Sequence, residues 1–261
     1  MLRYVLYAVA GGVLGLCALV AQGQETLKLT NGEWPPYQSQ HLPGYGPASR
    51  IVTRAFETQG IRVSYGFFPW SRAYYMAERG IYHGSLIWSY TPERAKAFYY
   101  SDPFIFTDTV FFYHRDTPFD WSDWSDLRGI QIGATLGYTY GEGFEKAERQ
   151  GLLTVDRVVS DEINLRRLLA KRITIFPLSL DVGLTMLNTL FTPEERAEIR
   201  WHPRPLRRTA YHLILSRKHP DAPKWIEAFN RGLKMLKESG EYEQILRAAE
   251  VPQPDMTTAI P

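Results

Sequence analysis

Residues 84–104, GSLIWSYTPERAKAFYYSDPF, narrow the folds open to this chain because a buried strand there runs almost directly into a capped helix. Ser85-Leu86-Ile87-Trp88 is a short apolar run bounded by Gly84, the pattern of a strand covered on both faces in a parallel sheet. Ser89-Tyr90 leaves the strand. Thr91 then serves as N-cap, Pro92 as the first helical residue and Glu93 as a first-turn acid. Arg94 follows in the same turn, beside the strand's carboxyl end. Ligands of open α/β sheets settle at that end and next to helix N-termini. A guanidinium placed there grips a carboxylate through two parallel hydrogen bonds. The alternative is a solvated surface arginine paired with Glu93 or Asp102.

The same alternation of strand and helix recurs along the chain. Leu27–Thr30 reads as a first strand, stopped by the loop Asn31-Gly32-Glu33-Trp34-Pro35-Pro36-Tyr37, whose two prolines forbid strand continuation. A helix begins near Pro47 and ends at Gly60, and a strand follows over Ile61–Tyr65. Trp70, Ala73, Tyr74 and Ala77 mark the inner face of the next helix. Val110–Tyr113, Ile130–Gly133, Leu153–Val159, Ile173–Pro177 and Ala210–Ser216 read as further strands, with Ala210–Ser216 expected beside Val110–Tyr113. Ser160 caps a helix whose first-turn acids Asp161 and Glu162 read as helix-dipole partners. Leu178–Asp181 reads as a loop at a strand's carboxyl end. Ala134-Thr135-Leu136-Gly137 is a turn before a helix, offering backbone N–H groups and one hydroxyl. It lacks the Gly-Lys-Ser/Thr ending of a phosphate-binding loop.

The order of small strand, Ser-x-Thr-Pro-Glu-Arg, an aromatic pair and Ser-Asp-Pro-Phe resembles bacterial extracellular solute-binding proteins of family 3. These are the amino-acid-type receptors of ABC importers. The resemblance runs from about Glu25 to about Ala249. It implies an α/β, two-lobed clamshell of the periplasmic binding protein type II kind, each lobe a mostly parallel sheet flanked by helices, joined by two hinge strands. It implies lobe one over residues 24–108 and 217–261 and lobe two over 109–216, with a hinge at Thr107-Asp108-Thr109 and a recrossing near Arg217–Pro220.

The resemblance also implies roles for particular residues. Arg94 and Ser89 would hold an anionic group from lobe one, with Thr135 completing it from lobe two. Trp34 and Trp70 would flank the ligand body. Ser179 stands where amino-acid receptors carry the acid for the α-ammonium. That departure puts a simple α-amino-acid ligand in doubt and leaves Asp181, two residues on, as a replacement. Trp34, Tyr37, Phe68, Trp70, Trp88 and Tyr90 form an aromatic surplus that suits an aromatic, larger or cationic ligand body. The expected partners are a small-molecule ligand and an inner-membrane ABC permease, with the receptor a monomer. Two other uses of such a clamshell remain: a periplasmic dehydratase acting on prephenate-like acids, with Glu33 or Asp181 as its acid, and a receptor reporting to a membrane kinase.

The N-terminus fits export. Arg3 is the only charge before Glu25, and Tyr4–Val20 is apolar but short and Gly-rich for a membrane span. Ala21 and Gly23 place small residues around a cleavage point before Gln24, so residues 1–23 read as a signal peptide and the mature chain as periplasmic. An uncleaved anchor is the alternative. Cys17, the only cysteine, follows Leu16 where a lipoprotein signal wants a small residue, so lipidation is not expected. The mature chain would then hold no disulfide or thiolate chemistry. The formal charge is +2 and no uninterrupted basic run occurs, which disfavours nucleic-acid binding. The histidines lack metal-ligand spacing, no nucleophile elbow is present, and neither a catalytic residue, a metal nor a cofactor is expected.

Overall fold

The computed structural model describes residues 26–249. The expected signal peptide and Cys17 lie outside the described residues.

The chain alternates strands and helices in the order β1 (Thr26–Asn31), α1 (Pro47–Glu57), β2 (Arg62–Phe67), α2 (Trp70–Glu78), β3 (Gly84–Ser89), α3 (Pro92–Ala95), β4 (Phe98–Tyr100) and β5 (Ile105–His114). It continues with β6 (Gln131–Thr135), α4 (Glu142–Arg149), β7 (Thr154–Val158), α5 (Asp161–Leu169), β8 (Ile175–Ser179), α6 (Leu180–Leu190), α7 (Pro193–Ala197), β9 (Ile199–Trp201), β10 (Arg207–Ser216), α8 (Ala222–Ser239) and α9 (Glu241–Arg247). The fold is α/β with two lobes built on a curled mixed sheet, ordered β2-β1-β3-β10-β5-β8-β6-β7. β1 pairs in parallel with β2 and β3, and β6 in parallel with β7 and β8. Among the described residues no helix is long and apolar enough to cross a membrane.

Burial follows the sequence pattern. All six residues of β3 are buried, as its apolar run requires. α8 turns Trp225, Ile226, Phe229, Leu233 and Leu236 inward against α1. Phe229 stacks on Phe56 and Phe104, each at 5.6 Å between ring centroids. Each such side chain contributes about 1.5–3 kcal/mol by leaving water. Gly232 lets the two helices touch: a Cβ there would lie 2.0 Å from the Ala55 carbonyl oxygen.

Two expectations about the middle of the sheet are corrected. β10 does not pair with Val110–Tyr113. Its first half, Arg207–Tyr211, runs antiparallel to Ile105–Thr109, while Thr109–Tyr113 is taken by β8. The second half of β10 pairs with β3 and β4. Alternation within β10 fixed that it is a strand and carried no information about its partner. Leu178–Asp181 is also no loop: β8 runs through Ser179 and α6 starts at Leu180. Leu178 and Ser179 continue the buried ladder opposite Val110 and Thr109, which extends the strand past Pro177.

β3 carries an irregularity. Its register against β10 slips by one residue between Ser85 and Trp88, and Ile87 lies at φ 60°. A β-branched residue in that region is strained by about 1–3 kcal/mol, a condition that clusters at functional sites. The bulge re-aims Trp88 and Ser89, the last two residues of the strand.

Candidate functional site

α3 begins as its sequence requires: the Thr91 hydroxyl accepts the Arg94 backbone N–H at 3.2 Å. This cap holds Arg94 over the end of β3. Its Nη1 donates to the Ser89 carbonyl oxygen and to Ser89 Oγ, both at 3.2 Å. Nη2 donates to the Gly137 carbonyl oxygen at 3.4 Å, a residue reached through the other half of the sheet. The guanidinium carbon lies 4.9 Å from the centre of the Trp88 ring, within cation–π range. Burial lowers the guanidinium's pKa from its ordinary value. Among the described residues no carboxylate forms an ion pair with Arg94. Glu93 instead pairs with Lys96 at 2.6 Å, and Asn230 accepts the Asp102 backbone N–H. Arg94 therefore pairs with neither Glu93 nor Asp102.

Arg94 faces a cavity of about 60 Å³ whose walls include Trp34, Trp70, Trp88, Ser89, Tyr138 and Tyr211. It opens beside a larger cavity of about 530 Å³ that shares Trp34, Trp70 and Tyr138 and extends past Thr135, Asp161 and Met186. The first has room for a few water-sized groups, which suits a carboxylate, and the second for the body of a small solute. Trp34 is buried against Tyr37 and Tyr211, with centroids at 5.4 and 5.1 Å. Trp70 meets Trp88 edge-on at 5.5 Å.

The structure thus brings together Trp34, Trp70, Ser89 and Arg94. Thr135 lies on the larger cavity but not opposite Arg94. Its hydroxyl donates to Asp161 Oδ1 at 2.5 Å, so Gly137 and Tyr138 face the arginine instead. Ser179 is buried at the end of β8 with its hydroxyl unpartnered and lines neither cavity. Asp181 lies apart. Its Oδ2 accepts from Tyr37 Oη at 2.6 Å, on the wall of a separate cavity of about 590 Å³ beside Thr107 and Asp108. Burial raises the Asp181 carboxyl's pKa. Of the other aromatics, Phe68 packs on Tyr82 and Tyr90 on Tyr100, away from these walls. His114, Asp116 and Glu198 come together at the surface, but Lys171 and Arg115 already hold the two carboxylates.

Asp161, read from sequence as a dipole partner, was the residue missed. It is 6% exposed and lines the larger cavity. Thr135 Oγ1 donates to one of its oxygens, and Tyr138 Oη to the other at 3.0 Å. Burial pushes its carboxyl up to about 6 against those two stabilising hydroxyls. The signal was present in the sequence: Ser160-Asp161 starts a helix directly after a strand, the same arrangement that singled out Arg94.

Residues 29–248 match the bacterial extracellular solute-binding proteins, family 3. The chain belongs to this family. No curated protein matches it by sequence. Among solved structures it is similar to a histidine kinase sensor domain that itself resembles periplasmic binding proteins, at 19% identity and TM-score 0.72, covering 88% of this chain and 99% of that one. The substrate-binding protein of an amino acid ABC transporter is similar at 15% identity and TM-score 0.70, over 86% and 99% of the two chains. An ancestral amino-acid-binding protein described as a precursor of cyclohexadienyl dehydratase follows at 14% and 0.67, over 85% and 94%. At these identities the family member shares the fold with each of them.

Proposed function

We propose that this solute-binding protein works in the periplasm as a monomer, captures a small carboxylate-bearing solute between its lobes, and delivers it to an inner-membrane ABC importer. The observation that carries the reading is Arg94, a guanidinium that among the described residues pairs with no carboxylate, donates across to Gly137 and faces a carboxylate-sized cavity. Ser89 positions it, Trp88 covers one face, and Trp34 and Trp70 flank the larger space where the rest of the solute would lie. Family membership supports the ligand class and the usual permease partner. We place the two crossings between lobes where Thr107–Thr109 pairs with Arg207–Thr209, earlier on the return strand than residue 217.

The test is a thermal-shift screen of small carboxylates followed by calorimetric titration of the hits. Arg94→Ala should weaken every hit by at least about thirtyfold, the cost of removing one partner from a desolvated charge pair, while the far-UV spectrum stays unchanged. Equal affinity in the variant removes Arg94 from the site.

A second reading has one observation in its favour. A dehydratase on this fold needs a carboxylic acid poised in the cleft, and Asp161 rather than Glu33 or Asp181 fits that description. Consumption of a prephenate-like acid by the purified protein would select it. A sensor role keeps the same capture step and differs only in the partner that docks.

A further inference from the structure

Three acids besides Asp161 lie near the ligand space, and each is committed. The exposed Glu33 carboxylate accepts the Gln40 backbone N–H at 3.0 Å. Glu162 pairs with Arg166 at 2.8 Å, and Asp181 is bound by Tyr37 outside the two ligand cavities. Asp161 alone is buried on the cavity wall, and among the described residues no Lys, Arg or His forms an ion pair with it. A buried carboxylate is costly to hold without a counter-charge. Its two hydroxyl donors leave each oxygen with a free lone pair. Asn164 steadies the arrangement, donating to the Ala134 carbonyl oxygen at 2.9 Å and to Thr135 Oγ1 at 3.3 Å. The space in front is walled by Trp34, Trp70, Val182, Met186 and Leu190, surfaces that suit a methylene chain.

Resting on the reading that Arg94 holds a carboxylate, we propose that Asp161 is the acceptor for a cationic group at the far end of the same solute. The solutes are then elongated and dipolar: a carboxylate on Arg94, an apolar stem between the tryptophans, and an ammonium or amidinium on Asp161.

The probes are ω-aminoalkanoates of three to eight carbons and the alkanoates of equal length, titrated calorimetrically into the whole mature protein. At the length that spans the two groups, the amino compound should bind at least tenfold tighter than its alkanoate. Asp161→Asn should erase that preference, so that the amino compound and its alkanoate bind within about twofold of each other. Thr135→Val, which removes only the hydroxyl bracing Asp161, should reduce the preference without abolishing it. Alkanoates that bind through Arg94 with no gain from the ammonium at any length would overturn the role of Asp161 and leave the capture site standing. A preference that survives Asp161→Asn would overturn it equally. Failure of both series to bind the wild-type protein would overturn the capture site and this inference together.

Discussion

Asp161 carries a linkage between pH and stability whose sign follows from its environment. Its carboxyl stands near 6 in the folded protein against an ordinary value of 3.8. Below about pH 4 both states are protonated and the residue contributes nothing. As pH rises from 4 to 6 the unfolded chain releases the proton first, so folding takes up a proton and stability falls. Above about 6 the penalty is complete, roughly 3 kcal/mol at about 1.4 kcal/mol for each pK unit. The groups around it are the Tyr138 and Tyr140 phenols and its neighbour Glu162. Burial first raises both phenols above the range concerned. Urea denaturation of the ligand-free protein at pH 4.5 and 7.5 should therefore show wild type losing about 2 kcal/mol more than Asp161→Asn; parallel losses would show that Asp161 ionises freely. Arg94 was legible in the sequence because its cap, proline and preceding strand are contiguous. For Asp161 the sequence carried only the position, a helix start directly after a strand; an acid in a first helical turn is ordinarily solvated, and the fold alone reveals that β6 and the following turn close over this one.

At the scale of elements, β3 shows most directly how local geometry makes the site. Its apolar run announced a buried strand, and the strand is there with all residues buried. The bulge at Ile87 was invisible, because isoleucine is a residue one assigns to regular strand. Trp88 Nε1 donates to Ser85 Oγ at 2.7 Å across the bulge, so the distortion also satisfies the indole. Ile87→Gly would lose apolar burial but release the strained backbone. Its cost should be about 1–2 kcal/mol, below the 2–5 kcal/mol usual for cutting back a buried isoleucine. Chemical denaturation measures it, and a full-sized loss would mean that the backbone stores no strain there. α6 was missed for a related reason: Leu180–Leu190 follows β8 with no intervening turn residue, and no loop punctuation announced it.

For the whole molecule, the family signature made the two-lobed architecture legible, while the partner of β10 was decided only by assembly of the sheet. The polar contacts between parts of the chain far apart in sequence include Arg94 to Gly137, and Tyr37 to Asp181. The second lies outside the ligand cavities, so removing it should change closure without touching the solute. Tyr37→Phe should weaken binding about threefold to tenfold, the net worth of one typical hydrogen bond after solvent exchange. Small-angle scattering of the ligand-free variant should show a larger radius of gyration than wild type. Unchanged scattering and affinity would mean that this bond does not contribute to closure. β5 and β10 remain hydrogen-bonded to each other along Ile105–Thr109 and Arg207–Tyr211 and continue as ladders on either side. Among the described residues these ladders leave no slack tether between the two halves. Opening of the kind proposed above would twist a shared pleated ribbon, a leaf spring whose stiffness would limit how bulky a visitor could pass the lips.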